Sequence, residues 1–96
     1  MTATTGLPVV VHQPGSGRFE IRIGDMLAVA EYVRGVDELV LTRTFVPPAL
    51  RGRGLAETLV RAALDFARTE RLRVIPACSY VAAFVERHPD LVAPSE

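Results

Sequence analysis

The hydrophobic period of this sequence changes at Pro47-Pro48, and this change constrains the fold more than any other feature. Before the prolines, residues 38–46 (ELVLTRTFV) alternate with the two-residue period of a β-strand. From Gly54 to about Arg71, apolar residues recur at three- and four-residue steps, the period of an amphipathic helix. Because proline cannot donate to a β-ladder, it ends the strand. The centre of the chain is therefore predicted to be a strand, a loop and a helix.

The same two periods predict further elements on both sides of this centre. Turn residues separate short alternating runs in the first third of the chain, which is typical of antiparallel hairpins. The first residues, 1–8, and the tail, 90–96, are expected to be irregular. The remaining predicted elements are strands at residues 9–12, 18–23, 26–33 and 72–76, and a helix at residues 80–87.

The order of these elements predicts an α/β fold of α+β-like character. A strand, a helix and a strand over residues 38–76 imply two parallel neighbours joined by a right-handed crossover. The hairpins before them imply an antiparallel part. We expect a mixed, mostly antiparallel sheet with helices packed on it, in one domain over residues 1–96 whose core spans about 9–92.

Composition and charge exclude several classes of protein. The 96 residues include 11 basic and 11 acidic side chains, so no net charge attracts nucleic acid or an anionic membrane. The single cysteine, Cys78, excludes a disulfide within the chain, and no cysteine or histidine spacing indicates a metal site. The first 15 residues have no basic stretch followed by a long apolar run, so we expect no secretory signal, and no apolar run approaches about 20 residues. We expect a cytoplasmic protein that binds neither nucleic acid nor membrane.

The loop at residues 51–56 (RGRGLA) has the features of an anion site. A helix N-terminus leaves backbone N–H groups unpaired and carries about half a positive charge, so anions bind there. Gly52 and Gly54 permit unusual backbone angles and remove side chains that would keep a diphosphate away. Arg51 and Arg53 add attraction for phosphate. The pattern predicts a phosphate site at the start of the helix.

A plainer interpretation of this loop is an ordinary connection and a helix cap. The string is not a P-loop, since the Gly-Lys-Ser/Thr sequence is absent. It is not a dinucleotide-binding turn either, because Glu57 stands where the third glycine of that motif would fall. Its position between a strand and a helix favours the anion site.

Residues 46–56, with the pattern Val-Pro-x-x-x-Arg-Gly-x-Gly-Leu-Ala, resemble the [QR]-x-x-G-x-[GA] signature of the GNAT superfamily of acyl-CoA N-acyltransferases. Residues 64–91 are similar to the small YjdJ-type subfamily, in which a strand ends in Pro-x-Cys, followed by Tyr and a helix ending in His-Pro. Residues 17–33 fit that subfamily's opening hairpin. The resemblance covers about residues 9–92 and implies a minimal GNAT fold. One departure is Arg43, which stands where the subfamily usually has histidine, so that histidine's role is not carried over.

This resemblance implies a site for acetyl-CoA or coenzyme A as co-substrate. In the superfamily, the loop's backbone amides hold the CoA pyrophosphate, and the pantetheine arm pairs with the exposed edge of a splayed strand. That edge corresponds to residues 44–46, and Pro76 on the facing strand suits a pair that stops pairing there. The implied cofactor-binding residues are Thr44, Phe45, Val46, Arg51, Gly52, Arg53, Gly54, Leu55, Ala56 and Cys78.

Three side chains near this slot are candidates for catalysis. Cys78 is either a nucleophile that accepts the acetyl group or a small residue that lines the slot. Tyr80 is either the acid that protonates the departing CoA thiolate or an aromatic anchor for the last helix. His88 is either a base or a cap for carbonyls at the helix end.

The resemblance implies transfer of an acetyl group to an unknown amine. In larger relatives, two helices between the first two strands build the acceptor pocket, but residues 13–17 leave no room for a helix here. We therefore expect an open acceptor side, which favours a large acceptor such as a protein amine. One alternative is a CoA-binding module with little or no turnover. Another, a nucleic-acid-binding protein, is disfavoured by net neutrality. The sequence is compatible with a monomer or a dimer.

Overall fold

A computed structural model describes residues 9–92 of the chain. The described residues form a five-stranded sheet, in which the strands keep their sequence order, and two α-helices. Two 3₁₀ turns follow β4 and α2. The elements are β1 (Val11–Gln13), β2 (Arg18–Ile23), β3 (Met26–Arg34), β4 (Glu38–Phe45), the 3₁₀ turn Pro48–Leu50, α1 (Leu55–Thr69), β5 (Arg73–Pro76), α2 (Ser79–Arg87) and the 3₁₀ turn Pro89–Leu91.

The pairing directions confirm the predicted fold class. Strands β1 to β4 pair antiparallel, whereas β4 and β5, on either side of the crossover that contains α1, pair parallel. The parallel pairing is short, since it runs from Glu38 with Arg73 to Leu41 with Pro76. The sheet is therefore mixed and mostly antiparallel, as the strand–helix–strand pattern predicts.

Both helices pack on one face of the sheet. A single core cluster contains Leu59 of α1, Phe84 of α2 and Ile21 of β2, and each of these side chains is at most 1% exposed. The same cluster includes Ala28 and Ala30 of β3, whose small side chains let α1 pack closely on the centre of the sheet. The apolar period of α1 faces this core. Its buried positions are Leu55, Leu59, Val60, Ala63, Leu64 and Ala67.

Neither described helix packs on the opposite face of the sheet, which we call the uncovered face. Side chains alternate between the two faces along each strand, so Val29, Val33 and Phe45 lie outside the core cluster. Val29 is 6% exposed, whereas Phe45 is 37% and Val33 is 61% exposed. The ion pairs on this face are Arg18–Glu20, Arg43–Glu31 and Arg73–Glu38.

Element boundaries differ from the sequence predictions mainly near the ends of the chain. Strand β1 begins at Val11 rather than residue 9, because its pairing places Val11 opposite Glu20 and Gln13 opposite Arg18. The tail was expected to be irregular, but Pro89–Leu91 forms a 3₁₀ turn. The expectations for residues 1–8 and 93–96 lie outside the described residues.

An aromatic cluster lies where β1 meets α1. The His12 ring stacks on Phe19 with their centroids 4.1 Å apart, and it meets the edge of Phe66 at 4.6 Å. His12 Nε2 lies 2.6 Å from the hydroxyl oxygen of Tyr32. Burial lowers the pKa of His12 below its ordinary value of 6.5. The cluster therefore favours a neutral imidazole.

We expect this imidazole to make stability depend on pH. Because the folded-state pKa is lowered, the unfolded chain binds the proton more readily. The stabilisation is complete above 6.5, the unfolded value, and is lost as the pH falls toward the folded-state value. The melting temperature should therefore fall between about pH 7.5 and pH 5.5, and less so in His12→Phe, which has no titrating ring. Equal decreases in the two proteins would contradict this role.

Candidate functional site

Strands β4 and β5 separate halfway along β4. Their pairing ends at Leu41 and Pro76, and the Cys78 N–H donates one further hydrogen bond to the Leu41 carbonyl at 3.0 Å. Beyond this point β4 continues to Phe45 without β5 beside it, because Pro76 has no N–H and the chain turns into α2. A cleft therefore opens between the end of β4 and the start of α2, at the position expected for the splayed strands.

Short-range hydrogen bonds hold the loop after β4. The Leu50 N–H donates to the Pro47 carbonyl at 2.8 Å, and the Arg51 N–H donates to the Pro48 carbonyl at 3.2 Å. Leu50 is 1% exposed and anchors this turn in the core. The Arg51 side chain folds back, and its Nε donates to the Val46 carbonyl at 2.8 Å. The loop thus leaves the sheet in a fixed direction.

Gly52 and Gly54 form the turn that leads into α1. Their φ angles are 84° and 77°, in the left-handed region that favours glycine. Apart from its own chain neighbours, a Cβ atom built on either residue would have no protein atom within 4 Å. The space beside both α-carbons is therefore open, and a ligand can approach the backbone there.

The electrostatics of this turn favour an anion. Gly54 is the N-cap of α1 and offers no side chain to its first N–H groups, which also lack helical partners. The side chain and N–H of Thr58 both donate to the Gly54 carbonyl, at 2.9 and 3.1 Å. Within residues 9–92, six arginines form ion pairs, but Arg51 and Arg53 do not. Their positive charges therefore add to that of the helix terminus.

A cavity of about 380 Å³ joins the cleft to this turn. It brings together eight of the ten predicted cofactor-binding residues and one of the catalytic candidates, Tyr80. The cavity is partly open to solvent rather than enclosed, and β4, the loop and the start of both helices form its walls. Its lining residues are Thr44, Phe45, Val46, Leu50, Arg51, Gly52, Gly54, Leu55, Ala56 and Tyr80.

Tyr80 lies in the first turn of α2 and reaches the cavity. Its ring is parallel to that of Phe84, with centroids 6.4 Å apart, so packing on α2 fixes its orientation. Burial raises the pKa of Tyr80 above its ordinary value of 10.0, and Glu57 raises it further, whereas Arg87 lowers it. The phenol therefore keeps its proton at neutral pH.

Cys78 lies at the point where the cleft closes. Its Sγ is 3.7 Å from Thr44 Oγ1, which joins the two sides of the cleft. Burial raises the pKa of the thiol, but hydrogen bonds from Val81 N–H, the Thr44 hydroxyl and Tyr80 N–H lower it, and the net pKa lies below the ordinary value. The neutral thiol donates to the Thr44 hydroxyl, whereas a thiolate would accept a hydrogen bond from that hydroxyl instead.

Most of the chain is similar to known proteins. A family model described as GCN5-related N-acetyl-transferase matches residues 18–93. The chain belongs to this family. Protein NATD1 of Bos taurus is 38% identical over 89 residues, which cover 88% of this chain and 78% of the relative. Protein NATD1 of Homo sapiens is 36% identical with the same coverage, and that of Danio rerio is 36% identical over 84 residues, covering 83% and 76%.

Membership of the GCN5-related N-acetyltransferase family supports an acyltransferase activity in general and confirms the resemblance drawn from the sequence. The family match includes the loop at residues 51–56 and all three catalytic candidates. Within the described residues, no group of three or more histidine, cysteine or acidic side chains could hold a metal ion. Among the described helices, none has the length and apolar character needed to cross a membrane.

Three of the predicted site residues in this family member lie outside the cavity lining. Arg53 is exposed on the loop, and Cys78 stands behind Thr44. His88 follows α2, where its ring lies 4.5 Å from Phe84 and its N–H donates to helix carbonyls. Conversely, Leu50 lines the cavity although the sequence did not predict it as a site residue. Its only signal was an apolar residue just after two prolines.

Proposed function

We propose that this protein binds acetyl-CoA or CoA in the cleft, with the pyrophosphate at residues 51–56. The observation that carries this proposal is the continuous cavity from the glycine turn to Tyr80. The turn combines unpaired helix N–H groups, open space at Gly52 and Gly54, and arginines without carboxylate partners in the described chain. A diphosphate carries the charge and size that such a turn accepts.

The pantetheine arm lies along the end of β4 in this proposal. Residues 44–46 pair with no strand on the β5 side, so the backbone groups there that Cys78 and Arg51 do not engage are available to the amides of the arm. Leu50 and Leu55 supply apolar walls for its methylene groups. With its diphosphate at the turn, the ligand's thioester end points toward Thr44 and Tyr80.

The proposed reaction transfers acetyl from sulfur to an amine nitrogen. The amine attacks the thioester carbonyl, a C–N bond forms and the C–S bond breaks. Tyr80 donates its proton to the departing sulfur and regains one from water, while the new amide nitrogen releases one proton to water. Among the described residues that line the cavity, none is a histidine or a carboxylate. The amine therefore arrives in its unprotonated form, and the rate should rise with pH toward the acceptor's own pKa.

Direct transfer gives Cys78 no chemical role, so we infer that it supports the cleft wall through its contact with Thr44. Its Sγ contacts Thr44 and is not part of the cavity surface. We therefore expect Cys78→Ala to change acetyl-CoA turnover by less than about tenfold. Loss of turnover, together with an acetylated thiol in the unchanged protein detected by mass spectrometry, would identify Cys78 as the nucleophile instead.

The acceptor reaches the thioester from the uncovered face in this proposal. Both helices close the other side of the cleft, and Phe45 lines the cavity while belonging to the uncovered face. A small acceptor needs a concave pocket that buries most of its surface. The sheet surface beside Phe45, which neither described helix covers, suits instead a lysine amine on the surface of a protein. We place the activity in the cytoplasm, where the free thiol of Cys78 stays reduced.

A CoA-binding module with little turnover is the second candidate. Two features favour it: the described lining of the cavity contains no carboxylate or imidazole, and neither described helix covers the acceptor side. Isothermal titration calorimetry with CoA tests what the two candidates share, and no binding at high micromolar CoA would exclude both. Thiol release from acetyl-CoA with small amines and lysine-containing proteins separates them. If the protein is a transferase, we expect thiol release with the protein acceptors and none with the small amines.

A further inference from the structure

Arg51 makes a hydrogen bond that its neighbour Arg53 lacks. Its Nε donates to the Val46 carbonyl at 2.8 Å, whereas no hydrogen bond of the Arg53 side chain occurs within residues 9–92. Both arginines are exposed, and neither pairs with a carboxylate in that range. Arg51 and Arg53 therefore carry the same charge and lie two positions apart, but only Arg51 makes a side-chain hydrogen bond to the described chain.

This contact is the last restraint before the glycine turn. Up to Arg51 the loop is held by backbone hydrogen bonds, and from Gly54 onward it is held by α1. Between them, the backbone of residues 52–53 makes no hydrogen bond with any described residue. Since glycine has the widest choice of backbone angles, the conformation of this stretch depends on how its ends are held.

The hydrogen bond also bridges the two parts of the proposed ligand site. Val46 is the last residue of the unpaired stretch along which the pantetheine arm lies, and Arg51 opens the turn that receives the diphosphate. A planar guanidinium that donates through Nε has its orientation fixed. The contact therefore sets the position of the turn relative to β4.

We propose that Arg51 is a positioning residue whose Nε hydrogen bond to the Val46 carbonyl, rather than its charge, shapes the turn for phosphate. The proposal rests on CoA binding as the proposed function. A glutamine at this position has its Nε2 the same number of bonds from the backbone as the arginine Nε, so it keeps the donor and loses the charge. A lysine keeps the charge but has a methylene there.

Calorimetric titration of four variants with CoA distinguishes the effect of the hydrogen-bond donor at position 51 from the effect of its positive charge. We expect Arg51→Gln and the matched variant Arg53→Gln, each lacking one positive charge, to weaken CoA binding equally, by about threefold. Arg51→Lys and Arg51→Ala should bind about tenfold more weakly. Normal binding by Arg51→Lys, or equal binding by Arg51→Gln and Arg51→Ala, would overturn the proposal.

Nuclear magnetic resonance of the free proteins tests the geometry without any ligand. The amide signals of Gly52 and Gly54 should keep their positions in Arg51→Gln and shift in Arg51→Lys. If CoA does not bind but these shifts follow the expected order, the proposed function fails and the positioning role stands. If CoA binds but the signals of Arg51→Lys are unchanged, the positioning role fails alone.

Discussion

Replacing Gly54 by aspartate should abolish CoA binding with little loss of fold. Gly54 has a φ of 77°, and its missing Cβ faces open space at the N-terminus of α1. Aspartate tolerates this backbone region better than most residues, so the strain is about 1 kcal/mol. Its carboxylate, however, would occupy the place of the anion. Like charges in contact cost several kcal/mol, and each 1.4 kcal/mol is tenfold, so calorimetry should show affinity falling by more than about 100-fold.

The matched control for this variant is Gly24→Asp. Gly24 has a φ of 64° and, apart from its chain neighbours, also no protein atom within 4 Å of a built Cβ, but it lies in the turn between β2 and β3. Both variants should lower the melting temperature by a similar amount, and only the one at the loop should lose CoA. Gly54→Asn, which adds bulk without charge, should bind about tenfold more weakly. Equal CoA affinity in the two aspartate variants would contradict an anion site at the loop.

Much of this site could be predicted because its signals are local. The prolines at 47–48 end β4, and the two glycines adopt the positive φ angles that the turn requires. Pro76 ends the parallel pairing at the residue where the sequence places the opening. Each of these effects depends on one residue and its immediate neighbours, so the sequence is sufficient to locate the cleft between β4 and α2.

The choice of the covered face of β3 could not be predicted in the same way. The side chains on both faces of β3 are apolar over much of its length, since Leu27 and Val29 alternate with Ala28 and Ala30. Hydropathy favours the larger side chains for the core, but α1 packs on the alanines because small residues let it approach the sheet. The register of pairing between β3 and β4 also shifts between Glu31 and Tyr32, and this shift changes which side chains lie on each face of the sheet. Such choices depend on how distant elements pack.

The positions of Arg53 and His88 show the same limit for the site. Both fit a motif by their place in the sequence, and neither lines the cavity. The direction of an exposed arginine on a loop is set by contacts that a pattern of residue types does not contain. The ring of His88 packs against Phe84 at 4.5 Å, a contact that follows from their four-residue spacing near the end of α2.

Removing the hydroxyl of Tyr80 should reduce turnover far more than it reduces binding. Tyr80 lines the cavity and keeps its proton, since burial raises the pKa of its hydroxyl. General acid catalysis contributes about 10²- to 10⁴-fold, so Tyr80→Phe should lower kcat for acetyl transfer by at least about 100-fold. The ring and its packing on Phe84 remain, so CoA affinity measured by calorimetry should change by less than about tenfold.

Tyr32, the other tyrosine of the chain, provides the control for this experiment because it lies outside the cavity. Burial raises the pKa of Tyr32 as well, but its hydroxyl pairs with His12 in the aromatic cluster. Tyr32→Phe should therefore lower the melting temperature and leave kcat within about tenfold. A raised Tyr80 pKa also predicts that the rate of the unchanged protein decreases only above pH 10. If Tyr80→Phe turned over at the normal rate, the residue would be an aromatic anchor for α2, and the proton for the departing sulfur would come from water.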